Sequence, residues 1–400
     1  MKMKNKLFIF PIFLFLSFLI RSFPQENSDC LVCHGDESIK TPERQELYIN
    51  NDGFSISVHG KAGISCIDCH SDLKGVQDFP HSEKLKKVSC SECHSDAYEK
   101  MKNSIHFKKV ECKNCHGSHY IYEKDNPQSF IYPLNIPRIC EECHIKKVKI
   151  EKGFEFIKLY DDSIHGRALT KSGLIYSATC VSCHGSHDIR AVSSKDSNVF
   201  RANIPYLCGN CHKGILQDFL DGVHGKDFLK GNTDVPVCID CHGEHDIYPI
   251  DQPRSKVYHT KVPQVCGKCH ANEILARKYG YSVFRVLTYQ KSFHGIATSY
   301  GDLRTANCAS CHDYHNIRKS SDPKSPIHPD NLSKTCGKCH KGVGRDFAKG
   351  KIHVWEEKKE NIWAYIVRKF YTIMITVIIG GFLIFISVEL YARIKRGVKR

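Results

Sequence analysis

Methionine is nearly missing from this chain. Of the four in 400 residues, Met1 and Met3 lie in an N-terminal leader, Met374 in an apolar C-terminal run, and Met101 alone stands elsewhere. A thioether is thereby excluded as the ligand of more than one metal site. No proline- or serine-rich linker interrupts the chain, so composition predicts one or two compact domains rather than tethered modules. No cysteine is left over once the repeated motif is counted, which removes a free reactive thiol and an odd intermolecular disulfide.

What is present is Cys-x-x-Cys-His, eleven times, using all 22 cysteines. The copies are Cys30/Cys33/His34, Cys66/Cys69/His70, Cys90/Cys93/His94, Cys112/Cys115/His116, Cys140/Cys143/His144 and Cys180/Cys183/His184. Cys208/Cys211/His212, Cys238/Cys241/His242, Cys266/Cys269/His270, Cys308/Cys311/His312 and Cys336/Cys339/His340 complete them. This is the spacing of covalent c-type haem attachment: two thiols add to the vinyl groups and the adjacent imidazole binds iron. A zinc ribbon needs paired Cys-x-x-Cys but no neighbouring histidine, and disulfide frameworks make no such demand either. Histidine fills 24 of 400 positions, about one in seventeen, so its recurrence beside every second cysteine is not chance. The sequence predicts eleven covalently attached haem c groups.

From Cys30 to His353 the chain offers about thirty residues per haem, too little for an ordinary apolar core with haem pockets in its wall. The expected fold is irregular chain and short α-helices wrapped round a stack of haems, with almost no sheet. The net charge of +15 ordinarily suggests nucleic acid or an acidic partner. Here two propionates per haem supply the nearer counter-charge, and the lysines and arginines are scattered between motifs, so no nucleic acid is expected.

Lys2, Lys4 and Lys6 precede an apolar run from Leu7 to Ile20, which reads as a signal peptide over 1–22 with cleavage near Ser22; retention as an anchor is the alternative. No Leu-x-x-Cys context precedes Cys30, so lipidation is not expected. From Phe370 to Val388 no residue is charged, a length that spans the hydrocarbon core. Arg368 and Lys369 flank one side; Arg393, Lys395, Arg396, Lys399 and Arg400 flank the other and predict a cytoplasmic tail. Trp363, Tyr365 and Tyr371 fit the opposite interface. The expected organisation is a periplasmic haem domain over 23–360, an anchor over 361–392 and a basic tail over 393–400, in the inner membrane.

The ligation follows from a repeat. Four times, a motif is followed by another whose first cysteine lies 28 residues on: Cys112 to Cys140, Cys180 to Cys208, Cys238 to Cys266, Cys308 to Cys336. In each, the first motif carries a histidine three places after its proximal one: His119, His187, His245 and His315. Asp-Ile follows in two copies and Asn-Ile in a third. A looser copy pairs Cys66 with Cys90 and carries His81. A second element, Ser-x-His-Gly or similar, trails the other motifs and supplies His59, His106, His165, His224, His294 and His353. Segments such as Lys213–Gly222 have apolar residues at helical spacing, and twelve helical residues span about 18 Å, enough to carry a histidine between haems. The two sets together give eleven distal ligands for eleven irons, with His259 and His328 to spare. A histidine three residues beyond a proximal ligand cannot reach the far face of its own haem, so it must serve a neighbour.

The Cys-His-Gly-Ser-His and Ser-Ile-His-Gly segments and the paired motifs resemble the periplasmic and membrane-anchored multihaem c-type cytochromes of bacterial respiration, over residues 30–353. The resemblance implies a wire-like carrier that passes electrons from the quinone pool to reductases, outer-membrane conduits or extracellular acceptors. A related group, reductases acting on nitrite, hydroxylamine or tetrathionate, keeps one haem open; no motif here has lysine in place of histidine. With two imidazoles per iron, the haems are expected to be low-spin, low-potential and saturated. The apolar C-terminal segment holds neither histidine nor cysteine, so a membrane partner, a cytochrome b or an iron–sulfur quinol-oxidising subunit, is expected, with other periplasmic cytochromes downstream. No catalytic residue is assigned. The alternative reading is a multihaem reductase of a nitrogen or sulfur oxyanion with one five-coordinate haem.

Overall fold

The computed structural model describes residues 26–40, 47–76, 79–145, 153–348, 352–353 and 362–397. The expected leader over 1–22 lies outside these residues, as do Lys399 and Arg400. Among the described residues there is no β-strand, and the helices before the C-terminal one are no longer than the ten residues of Gly153–Asp162. The expectation of short helices and irregular chain is met.

Most of the haem motifs fold in one of two ways. In Cys112–His116, Cys180–His184, Cys238–His242 and Cys308–His312 the first cysteine opens a five-residue helix and the histidine closes it. So short a helix has no stability of its own. It is held at its start by the second variable residue of the motif, which turns back on the residue before the first cysteine. Asn114 accepts from the Glu111 N–H (2.8 Å), Ser182 from Thr179 (3.0 Å), Asp240 from Val237 (2.6 Å) and Ser310 from Asn307 (3.1 Å). These contacts satisfy donors that a helix start leaves open. The other arrangement sets the motif at the end of a longer helix, as in Ile136–His144 and Val262–His270. Pro137 and Pro263 sit in their first turns, where a missing N–H costs nothing.

After the five-residue motif helices the backbone swings into the left-handed half of φ, at Gly117 (78°), Gly185 (83°), Gly243 (89°) and Asp313 (71°). With ψ near 180° this region suits glycine alone. That bend carries the chain to His119, His187, His245 and His315.

The trailing element is a pair of helices meeting at a tight corner. Its second helix starts just before the histidine: Val58–Lys61, Ile164–Thr170, Val223–Leu229 and Phe293–Ser299. Ser57, Ser163 and Ser292 cap three of them, accepting from the N–H of Gly60 (3.0 Å), Gly166 (3.1 Å) and Gly295 (3.2 Å). A Cβ at Gly60, Gly166, Gly225 or Gly295 would run into the carbonyl of Phe54, Tyr160, Phe219 or Tyr289 in the preceding helix. The glycine after the histidine is therefore a requirement of the corner.

A backbone hydrogen bond joins this corner to the motif-linked segment of a later repeat. Val58 N–H donates to Ile121 (2.8 Å), Ile164 to Ile247 (2.8 Å) and Val223 to Ile317 (2.7 Å). Each donor directly precedes a trailing histidine, and each acceptor lies two residues after a motif-linked one.

The described chain divides into two compact units, one of residues up to 102 with 106–135, the other of 103–105 with 136 onward. Few apolar side chains are buried against the chain itself: Leu169, Ile204, Val237, Val262 and a handful more, beside small polar residues such as Ser57, Ser163 and Ser325. The C-terminal helix Ile362–Gly397 has 36 residues and rises about 54 Å. It is long and apolar enough to cross a membrane over Tyr365–Arg396. Thr372, Thr376 and Ser387 return their hydroxyls to carbonyls one turn back (2.7–2.9 Å), which meets those three donors within the helix itself.

Two substitutions test these backbone requirements by thermal unfolding of the purified chain. Gly166→Ala should destabilise by about 1–3 kcal/mol, as overpacking does, although alanine is favoured over glycine in helices by about 1 kcal/mol. Asp313→Gly should stabilise by about 1 kcal/mol through relief of its strained backbone; a loss of stability would show that the Asp313 side chain holds something there.

Candidate haem-ligand site

Histidines from segments far apart in the chain meet in pairs. The ring centroids of His34 and His81 lie 6.0 Å apart, His59 and His94 6.0 Å, His70 and His119 6.2 Å. In the second unit His165 faces His212 at 6.2 Å, His184 faces His245 at 6.0 Å, and His224 faces His270 at 6.2 Å. His242 and His315 lie 6.0 Å apart, His294 and His340 6.0 Å, His312 and His353 6.3 Å. Every one of these nine pairs joins a motif histidine to a member of the proposed distal set. Two metal–imidazole bonds of about 2 Å, with a ring radius of about 1.1 Å on either side, put the centroids about 6.2 Å apart. The observed spacing thus fits one iron held from both sides. Among the described residues no three His, Cys, Asp or Glu side chains converge on one point.

The pairing skips a motif. His59, which follows the first motif, faces the histidine of the third; His165, after the fifth, faces that of the seventh; His224 and His294 continue the rule. The motif-linked set runs the other way: His119 of the fourth motif faces the second, His245 of the eighth the sixth, His315 of the tenth the eighth. Sequence reasoning required a neighbour; in seven of the nine pairs it is the second motif along, whereas His81 and His353 face the adjacent motif through His34 and His312. For His106, His116, His144 and His187 the assignment rests on the sequence.

The thiols give the order of the motifs in space. Cys30 and Cys66, Cys90 and Cys112, Cys140 and Cys180, Cys208 and Cys238, and Cys266 and Cys308 lie within sulfur hydrogen-bonding reach. The second cysteines face the following motif: Cys69 is near Cys93, Cys183 near Cys208, Cys241 near Cys266 and Cys311 near Cys336. Within each unit, then, motifs that follow one another in the chain are neighbours.

The second cysteines are placed less uniformly than their shared spacing suggests. Cys33, Cys115 and Cys143 lie inside the helices Asn27–His34, Cys112–His116 and Ile136–His144, three residues after their first cysteines and so on the same helix face. Cys211 and Cys339 do not continue a helix. They fall in the turns just beyond Ile204–Gly209 and Leu332–Gly337, Cys211 close to Cys183 and Cys339 close to Cys311. Cys33, Cys115, Cys211 and Cys339 are exposed and Cys143 is half-buried. The thiols are thus not packed into a protein core. A sulfur that must add to a vinyl carbon has to be reachable, so exposure agrees with attachment. For Cys33, Cys115 and Cys143 the assignment as attachment residues rests on motif spacing.

Burial lowers the pKa of several of the paired imidazoles. His224 is held down at about 4, first by desolvation and then by its partner His270; His165, His184, His242 and His312 are lowered for the same reason. A neutral ring has the free lone pair that a metal needs. Second contacts orient several rings. Nδ1 of His34 bonds the Leu47 carbonyl (3.0 Å), Nδ1 of His81 the Ser82 carbonyl (2.9 Å) and Nδ1 of His353 the Thr288 hydroxyl (3.1 Å). These bonds leave Nε2 for iron. Phe156 lies 4.9 Å from His245, Tyr281 5.2 Å from His270 and Phe347 5.4 Å from His340. Sequence reasoning passed over Thr288 and these aromatics, because nothing in their spacing links them to a motif.

The two spare histidines are engaged elsewhere. His259 Nε2 donates to the Thr305 carbonyl (2.7 Å), and the Asn307 amide donates to the His259 carbonyl (3.0 Å). Arg201 does the same one repeat earlier, donating to the Val235 carbonyl (2.9 Å) and pairing with Asp240 (2.8 Å). Val235 and Thr305 each stand three residues before the first cysteine of a motif. The signal was in the sequence: Arg201 and His259 both follow a buried serine, Ser197 and Ser255, by four positions. His328 Nδ1 accepts from the Asp330 N–H (3.3 Å) and caps a single turn.

Helical units without strands, Cys-x-x-Cys-His segments in contact and facing imidazoles at the span of one iron define a multihaem c-type cytochrome arrangement. In agreement, residues 52–117, which hold three of the motifs, match the family model described as cytochrome c7 and related cytochrome c. That segment is similar to cytochrome c7 and related cytochrome c, and covalently bound haem c is the cofactor the likeness implies. No curated protein and no solved structure matches the chain.

His259→Ala should lower stability by about 1–3 kcal/mol, since a buried carbonyl loses its donor, and leave the haem content and visible spectrum unchanged. Loss of one haem's low-spin signature would instead make His259 a ligand.

Proposed function

We propose that the chain is a membrane-anchored electron carrier with eleven c-type haems, each held by two thioethers and two imidazoles. It passes electrons between a quinol-oxidising membrane partner and soluble redox proteins of the periplasm. The observation that carries this reading is the set of nine imidazole pairs, each at the span of one iron and each built from one motif and one distal histidine. Haem c supplies an iron that alternates between the ferric and ferrous states. The chain does the rest. Its cysteines fix each macrocycle covalently, and its histidine pairs close both axial positions to water and to small substrates. Adjacent motifs keep successive sites close.

The distal set is His59, His81, His106, His119, His165, His187, His224, His245, His294, His315 and His353. The helix Ile362–Gly397 supports a single-pass anchor, and the basic excess beyond it supports a cytoplasmic tail with the haem-bearing region in the periplasm. That helix has no histidine or cysteine, so quinol chemistry falls to an integral-membrane partner of cytochrome b or iron–sulfur type. His353 precedes the helix by a short segment, and the site it shares with His312 is the natural point of exchange with that partner.

Carbon monoxide and cyanide should leave the visible spectrum of the native chain unchanged, whereas His245→Ala should bind one carbon monoxide per molecule. Avid binding by the native chain would replace the carrier reading with a reductase of a nitrogen or sulfur oxyanion. In membranes from cells that make the chain, a reduced quinol analogue should reduce its haems. Failure to do so would reverse or displace the proposed entry of electrons.

A further inference from the structure

The nine imidazole pairs fall into two kinds. The rings are close to parallel in His34–His81 (19°), His70–His119 (25°), His184–His245 (6°), His242–His315 (24°) and His312–His353 (29°). They are strongly inclined in His59–His94 (58°), His165–His212 (50°), His224–His270 (48°) and His294–His340 (55°). None of the nine falls between these two groups.

The division follows the backbone that carries the distal ring. His59, His165, His224 and His294 are each the second residue of a helix, where the side-chain direction is restricted by the turn. His81, His119, His245, His315 and His353 lie outside any helix. Helix-borne distal ligands give inclined pairs and the others give near-parallel ones, in all nine cases.

Ring orientation acts on the metal through the imidazole π system. Each ring donates π density in the direction perpendicular to its own plane. Parallel rings act on the same iron dπ orbital and separate it from its partner, whereas inclined rings divide their effect over both and leave them closer in energy. From this we infer that the chain holds two electronically distinct classes of haem site, and that in the second unit they alternate along the path of neighbouring motifs. The inference rests on the bis-histidine reading above.

The alternation is read directly from the pairs. In the second unit the motif histidines run His184 (near-parallel), His212 (inclined), His242 (near-parallel), His270 (inclined), His312 (near-parallel) and His340 (inclined). The thiol contacts place these motifs beside one another in that same order. An electron moving through this unit therefore meets the two classes in turn.

The test is electron paramagnetic resonance of the oxidised full-length chain in detergent, with near-infrared magnetic circular dichroism on the same sample. The dichroism reports the ligand pair whatever the ring angle; the resonance reports the angle. The expected result is bis-histidine charge-transfer intensity alone, with two low-spin sets of comparable weight. One set is rhombic, and the other is more anisotropic and displaced to lower field. His294→Met should take intensity from the displaced set and His245→Met from the rhombic one. A single low-spin set in the native chain, with bis-histidine dichroism, overturns the inference and leaves the carrier reading standing. Dichroism showing other ligands overturns the carrier reading itself. Loss from the same set in both variants removes the link to the helix-borne histidines, and the wild-type spectrum decides even if either variant fails to fold.

Discussion

The facing of two imidazoles across the width of one metal is the constraint on which this structure depends. The chain buries few apolar side chains against itself, so hydrophobic burial cannot fix where its segments lie. What the structure shows instead is rings brought together from distant segments: a motif histidine stands about 6 Å from a second ring, in most pairs one carried by a segment two motifs away, and that is the spacing a single metal between them would require. The short motif helices, their returned side-chain caps and the left-handed residue after the proximal histidine all serve to aim a ring. The same demand explains why regular structure is so sparse. A long helix would carry its histidines past the place where they are needed.

Much of this was legible in the sequence. The offsets of the additional histidines picked out the rings that the structure brings to the motif histidines, in all nine pairs. Lys213–Asp221 is helical where apolar periodicity placed a helix. The partner of each histidine was not legible. A histidine three residues past a proximal one was seen to need a neighbour, but spacing alone does not say that the next motif is skipped. That choice is made by backbone geometry: by the bend at residues such as Gly185 and Gly243, and by the corner that only glycine permits at Gly166 and Gly225. Nor does identical spacing say that Cys115 lies inside a helix while Cys211 and Cys339 stand in turns, since the flanking residues decide where each helix stops. The isoleucine after the motif-linked histidine was visible as part of the repeat, yet its carbonyl rather than its side chain makes the contact. His259 was left over by the histidine count, outside the repeat. Its place is that of Arg201, and comparison of the two serine-anchored turns carries that information.

At individual rings the chain narrows the states open to an imidazole. Burial disfavours the protonated form of His224, and a carbonyl or hydroxyl at Nδ1 of His34, His81 and His353 favours one tautomer. Ordering a side chain ahead of coordination lowers what coordination must supply. The aromatic rings against His245, His270 and His340 act in the same direction by limiting rotation.

The skipped pairing also governs how such a chain can change length. A block that begins at one Cys-His-Gly segment and stops before the next contains two attachment sites, one ligand directed backward and one directed forward. Removing or inserting a whole block leaves every remaining ring with a mate, because each new junction repeats the old one. Removing a single attachment site strands rings on both sides of the cut. Proteins of this design should therefore grow and shrink by twos, and the two rings that face an adjacent motif instead, His81 with His34 and His353 with His312, stand at the two ends of the series.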